Sequence, residues 1–435
     1  MELRIVRLTI GAAIALVFAV GIASVVHENM GDWQHATLSQ ANGEMVAYTY
    51  VFNPPRYEDV MLFYVQPAVP LAMHEPRYGT YIGAYIRSVG VAAGEINRFE
   101  QLMGRHSIYK YHLELGGSFP EDFVFETVVR GRVPFFALQT PAESVSDTEF
   151  FEMAAALARE LGYYISPMFV QPPKPKRGES AADYQVRFAR MRTIFREHAP
   201  QVAFVYAVDI TDADIAIEFY PGDAYVDWVG IRAFASLSPE RQFKGDILSA
   251  IDEVYFEFQQ RKPMFVSLGI SSQSNHDFIH RTQLAATELE RVYTALLTDY
   301  PRVKGIIYLN VDEIRSNVAR NILDNYSITN NDVLKSTYRR LMSHANIAQS
   351  FEAGNAGQFS HETMRSRCTA LRVGGNYYIS ELALLDELQV PRSQLRGRTH
   401  TRNSTRFYPF AAFVQRNEWA LQQHAAHILL IPIEQ

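Results

Sequence analysis

Breaking a stable bond calls for a proton donor and a nucleophile or base, and carboxylates can supply both. Glu114, Asp209, Asp212, Asp214, Asp312 and Glu313 each sit at or just after a short apolar run, where a loop could carry them into a cleft. Each also has a plainer reading. Asp209-Ile210-Thr211-Asp212-Ala213-Asp214 is a polar connection into the next element, and Asp312 and Glu313 suit the start of a helix. Asp227 lies inside an apolar segment and reads as structural. His276 and His280 are four apart, which on a helix would place both on one face at metal-ligand spacing. No glutamate of an HExxH pattern accompanies them, since Asp277 does not fill that place. His424 and His427 form a weaker pair. The single cysteine, Cys368, excludes an intramolecular disulfide and a cysteine-based zinc site, and it reads as a buried small hydrophobe. No catalytic residue, metal ligand or cofactor is assigned from these groups.

The elements that must position such residues form a regular series. Strand candidates run Tyr81–Ile86, Tyr109–Leu115, Val133–Leu138 and Tyr164–Val170, then Val202–Val208, Val226–Ile231, Met264–Leu268 and Val303–Leu309. They read as apolar runs, as strands covered on both faces do. Helical spacing is clearest in Asp147–Leu161, Ala182–His198, Lys244–Gln260 and Gln283–Asp299. Eight alternating strand–helix units predict an α/β fold, a (β/α)8 TIM barrel over residues 78–345. A doubly wound open sheet is the alternative, but no glycine-rich phosphate turn follows any strand. In a barrel the chemistry belongs at the C-terminal ends of the strands.

Tyr220-Pro221-Gly222-Asp223-Ala224-Tyr225-Val226-Asp227-Trp228-Val229-Gly230-Ile231 closely resembles the sixth-strand segment of glycoside hydrolase family 26, the β-mannanase family. Tyr81–Tyr85 resembles that family's first strand, Ile96–Gly104 its first helix, Val205–Asp209 its fifth strand and Gly305–Asn310 its eighth. Lys262-Pro263 opens the seventh strand as the family does. The resemblance covers roughly residues 78 to 342. It implies a retaining glycosidase with a glutamate acid/base after strand four and a glutamate nucleophile ending strand seven, about 5 Å apart. This sequence departs at both places. Strand four leads into Gln171-Pro172-Pro173-Lys174-Pro175, with no acidic residue before Glu179, and Leu268 stands where the nucleophile is expected. Neither Gln nor Leu can take a carboxylate's part.

What remains for a ligand is a cleft with Tyr85, Gln171, Tyr206, Arg232, Phe234, Tyr308 and Asn310 on its rim. Aromatic faces stack on sugar C–H faces, and Arg, Gln and Asn bond hydroxyls. Each of these residues equally suits packing between barrel layers. The resemblance and the missing glutamates together lead to the expectation of an inactive barrel that binds a polysaccharide or cell-envelope component. An active glycan hydrolase using displaced carboxylates, among Glu114, Asp209, Asp212 and Asp312, is the alternative. A structural domain of an envelope assembly is the second.

The flanks bear on location. Leu8–Val26 is an uncharged, mostly apolar run after Arg4 and Arg7, so residues 1–30 read as a signal peptide or signal anchor that engages membrane or export machinery. The protein is therefore expected to be exported. Residues 41–77 read as an extended lead-in. Residues 350–435 read as a small β-rich domain, with Gly374-Gly375 as a hairpin turn and Leu382–Leu388 as a short helix. Its segment RVGGNYYISELALLDELQV resembles a stalk-type domain related to copper amine oxidase N-terminal regions, without a copper-ligand cluster. A net charge of -6 gives no electrostatic case for nucleic acid. Aromatics at 12% suit a carbohydrate cleft and a tyrosine-rich core equally.

Overall fold

The structure, a computed structural model, describes residues 57–432 except 88–94, 142–144, 211–212, 239–245, 316–322, 398, 418 and 424–426. It also describes the short strands Ile5–Val6, Ser39–Ala41 and Glu44–Tyr48. The apolar run Leu8–Val26, Asp212 and His424 lie outside the described residues. Among those described, no helix is long and apolar enough to cross a membrane.

The chain divides into two compact units, residues 63–365 and residues 1–62 with 366–435. The larger unit is the expected barrel. Its strands are β1 (Tyr81–Arg87), β2 (Ile108–Glu114), β3 (Val133–Gln139), β4 (Met168–Gln171), β5 (Val202–Asp209), β6 (Trp228–Ala235), β7 (Met264–Ile270) and β8 (Val303–Val311). They close in sequence order, β8 pairing with β1, and every pairing is parallel. A helix follows each strand: α1 (Glu95–Met103), α2 (Glu121–Val129), α3 (Asp147–Gly162), α4 (Ala181–His198), α5 (Ala213–Glu218), α6 (Ile247–Phe258), α7 (Thr282–Thr298) and α8 (Asp332–Leu341). Polar residues stop the chain from fraying where these helices begin. Ser146 accepts from the Glu149 N–H while Glu149 accepts from the Ser146 N–H, a capping box at α3. Ser180, Asp246 and Asn331 cap α4, α6 and α8. Among the described residues, no helix starts at Asp312 or Glu313. Asp312 accepts from the Arg315 N–H in a turn, and Glu313 accepts from the Asp324 N–H.

Side chains alternate along each strand, so one phase packs under the helices and the other fills the lumen. The outer phase includes Tyr206, Leu268 and Tyr308 and forms the large shell beneath the helices. The inner phase carries Tyr81, Ile108, Phe135, Phe169, Val205, Trp228, Phe265 and Ile307 in the lower half of the lumen. Trp228 stacks on Phe265 at 4.3 Å and donates its indole N–H to the Met73 carbonyl at 2.8 Å. Gly305 makes room for this aromatic floor, since a Cβ there would meet the Phe265 ring at 2.2 Å. The sixth-strand motif is thus scaffold. Asp227 accepts from the Phe204 N–H at 2.7 Å and pairs with Arg192 at 2.8 Å, locking β5 and α4 to the entry of β6.

In the smaller unit, Ala370–Val373 and Asn376–Ser380 form a hairpin whose Gly374 and Gly375 both have positive φ, the geometry a two-residue turn of this twist needs. Tyr57–Val60 pairs with the first of these strands, Thr405–Pro409 with the second, and Trp419–Gln423 forms a hairpin with His427–Pro432. Residues 383–387 make one π-helical turn where a short helix is expected. Cys368 is half-buried rather than buried, and desolvation raises its thiol pKa.

Candidate functional site

Above the aromatic floor the lumen changes character within one inward step on most strands. Ile108 gives way to Lys110 and His112, Phe135 to Ala137 and Gln139, and Phe169 to Gln171. Trp228 leads through Gly230 to Arg232 and Phe234, and Phe265 leads to Ser267. The result is a cavity of about 460 Å³ at the C-terminal mouth, within the size range of small-molecule sites.

Lys110 is the most consequential group in it. The residue is 7% exposed, and its Nζ donates to Gln171 Oε1 at 3.2 Å and to Ser267 Oγ at 3.3 Å. The ammonium also lies 4.8 Å from the centre of the Phe135 ring. Among the described residues no carboxylate pairs with it. Burial, and secondly the nearby Lys174, lower its pKa to about 7. Arg232 and Lys174 line the same cavity, and both use one carboxylate oxygen: Asp209 Oδ2 lies 2.8 Å from Arg232 Nη2 and 3.2 Å from Lys174 Nζ. Arg232 Nε is buried and has no hydrogen-bond partner among the described residues. Glu313 is the one carboxylate in the wall among the described residues.

The flat surfaces come from two places. Tyr85 stacks on His112 at 4.5 Å, and His112 Nδ1 accepts from Gln139 Nε2 at 3.3 Å. That bond leaves Nε2 as the protonated nitrogen of the neutral ring. Phe234 and Tyr326 contribute to the opposite wall, their rings 6.3 Å apart.

Of the residues expected on the rim, Tyr85, Gln171, Arg232 and Phe234 line the cavity, whereas Tyr206, Tyr308 and Asn310 do not. The reason is strand phase. Tyr206 is outward on β5 and donates its hydroxyl to the Ala216 carbonyl under the helices. Tyr308 is outward on β8, packed against Tyr293 and Tyr338, and Asn310 accepts from the Ile328 N–H. Leu268 is also outward, so the inward places at the end of β7 belong to Ser267 and Gly269. Glu179 is committed to a two-bond pairing with Arg187. Glu114 shares the phase of Lys110 and His112 but lies exposed at the end of β2, outside the cavity wall. His276 and His280 are exposed and lie in a turn and the irregular segment after it, so no helix face brings them together.

Lys110, His112, Gln139 and Ser267 are absent from the expected rim, yet β2 carried a readable signal. Lys110-Tyr111-His112-Leu113-Glu114 alternates polar with apolar inside what is otherwise a doubly buried strand.

No family model matches the chain, and no curated protein matches it. Among solved structures, it is similar to a GH26 β-mannanase from Bacteroides ovatus, with 10% identity and a TM-score of 0.45 over 62% of this chain and 90% of the other. A modular endo-β-1,4-mannanase from Cellulomonas fimi gives 12% identity and a TM-score of 0.47 over 84% of this chain and 100% of that one. A GH113 β-1,4-mannanase gives 11% and 0.43 over 62% of this chain and 100% of its own length. Likeness of this degree concerns the fold alone.

Proposed function

We propose that the protein binds a polysaccharide at the barrel mouth and does not hydrolyse it. One observation carries the reading: among the described residues, the wall holds three cations but a single carboxylate, Glu313. Two-carboxylate glycoside hydrolysis needs a proton donor and a nucleophile or base on opposite sides of one bond. Here β4 offers Gln171 and β7 offers Ser267, while Asp209 is tied to Arg232 and Lys174. Stacked Tyr85 and His112, with the amides of Gln139 and Gln171, are suited to sugar faces and hydroxyls. The N-terminal apolar run supports placing this binding outside the cytoplasm, on a cell-envelope component.

The test is reducing-end release by the full chain from mannans, xylans and mixed-linkage glucans, run beside affinity electrophoresis in the same glycans. Retarded migration without release is the expected result. Release that disappears in Asp209→Asn or Glu313→Gln would sink the reading in favour of a hydrolase. Neither release nor retardation would leave a structural role in an envelope assembly. Export is tested separately by fusing residues 1–30 to a reporter that works only outside the cytoplasm, with activity expected.

A further inference from the structure

We infer that the sugar held at the mouth is acidic, its carboxylate received by Lys110 and Arg232 with Lys174 at the rim. The inference rests on the glycan-binding reading and names the class of sugar. A buried ammonium costs several kcal/mol unless charge or hydrogen bonds compensate. Among the described residues, Lys110 has two neutral oxygens, from Gln171 and Ser267, and a ring face. Its neighbours in the cavity, Arg232 and Lys174, are cations too, and Lys174 disfavours its charged form further. Asp209 relieves those two through a single oxygen and leaves Arg232 Nε buried without a partner among the described residues. The cavity therefore has unused donors and, with Glu313 as the one carboxylate lining it among the described residues, more positive than negative charge, beside flat aromatic surface at Tyr85 and His112. A pyranose ring carrying a carboxylate satisfies both at once: the ring lies against the stack, and the carboxylate oxygens accept from Lys110 and Arg232. A neutral hexose supplies acceptors but no charge, so it leaves the imbalance in place.

A further consequence separates this from ordinary hydroxyl recognition. Burial holds the Lys110 amine at about 7, so near neutrality part of it is unprotonated in the empty site. A carboxylate ligand draws a proton onto it, and binding must take up protons and weaken as pH rises above 7.

The experiment is isothermal titration of the full chain with an oligogalacturonate, an oligoguluronate and a mannohexaose of matched length. It is run at pH 6 and pH 9 in buffers of different ionisation enthalpy. At least one oligouronate is expected to bind about tenfold or more tighter than the neutral chain at pH 6, with net proton uptake. Lys110→Met should remove that advantage and the proton uptake together, and Arg232→Gln should reduce the advantage alone. Equal binding of neutral and acidic chains would overturn the inference while leaving the glycan-binding reading intact. No binding of any chain would end both. Displacement of the oligouronate by inorganic phosphate at equal concentration would make the site a general anion pocket and overturn the acidic-sugar assignment. Unchanged uronate affinity in a folded Lys110→Met protein would do so as well.

Discussion

The two ends of the barrel treat buried charge in opposite ways. At the N-terminal end, Arg302 pairs with Glu75 at 2.6 Å and with Glu362 at 3.2 Å, and Lys304 pairs with Glu362 at 2.8 Å. Two cations meet two carboxylates, all almost fully shielded from solvent, and Arg302 Nε also donates to the Gln259 carbonyl at 3.0 Å. At the mouth, Lys110 is nearly as buried and faces amide, hydroxyl and ring instead. Both solutions occur on one scaffold, so the imbalance at the mouth is not a general tolerance of the fold. Charge is matched where only structure is required and left unmatched where the lumen opens.

The largest expected effect tests the matched end. Arg302→Met leaves Glu75 without its cation and Glu362 with Lys304 alone, and should cost about 3–5 kcal/mol of stability in urea unfolding. Replacing the network as a set, with Glu75→Gln and Glu362→Met added, should recover most of that loss, because matched burial is close to neutral against apolar packing. If the single change costs under about 1 kcal/mol, the contrast between the ends is wrong at its better-defined side.

The opposite sign is expected at the mouth. Lys110 has a folded-state pKa of about 7, below the ordinary lysine value. Between pH 7 and roughly 10.5 the unfolded chain holds a proton that the folded chain has released, so this group makes stability rise with pH across that window. Below pH 7 its full cost is present. Lys110→Met should therefore stabilise the protein, on the order of 3 kcal/mol at pH 6, with the gain shrinking toward pH 10. Thermal midpoints of both proteins at several pH values check this. A destabilised variant at pH 6 would mean that Gln171, Ser267 and the Phe135 face compensate the charge fully, and the two ends would no longer differ.

How much of this was legible beforehand differs between the ends and follows from physics. All eight strands could be read because doubly covered strands are apolar runs, and the four clearest helices could be read from their stripes. Phase was harder. Tyr206, Tyr308 and Asn310 lie near strand ends, which is where the barrel rule points, but an outward residue there belongs to the helix shell. A strand that is apolar on both faces gives no alternation from which to set phase. β2 does alternate, and the lumen can be read from it outward to its neighbours. The N-terminal network was not legible at all, since Glu75 and Arg302 are 227 residues apart and neither lies in a patterned segment.

A fully buried base outside the mouth cavity sharpens the comparison further. His106 is fully buried, with Nδ1 donating to the Gly104 carbonyl at 2.9 Å and Nε2 accepting from the Tyr338 hydroxyl at 2.7 Å. Burial lowers its pKa to about 4 despite those bonds. Between pH 6.5 and 4 the unfolded chain binds a proton that the folded chain refuses, so stability falls as pH drops through that range, by up to about 3 kcal/mol. His106→Gln keeps a donor and an acceptor and should flatten this slope, seen in thermal midpoints from pH 7 to 4. An oligouronate should leave the His106 slope unchanged while it shifts the Lys110 titration, because Lys110 lines the mouth cavity and His106 does not.

The smallest effect concerns Glu313, the one carboxylate in the cavity wall among the described residues. Glu313 opposes the charge that Lys110, Arg232 and Lys174 present, and Glu313→Gln retains an oxygen to accept from the Asp324 N–H. Stability should change by under about 0.5 kcal/mol, as for most substitutions away from a buried network. Removing a negative charge from the wall should tighten oligouronate binding about two- to threefold and leave mannohexaose binding alone. Titration calorimetry at pH 6 reads both. If Glu313→Gln instead weakens both ligands equally, Glu313 is a hydroxyl acceptor in a neutral-sugar site, and the unmatched charge of the mouth has some purpose other than an acidic ligand.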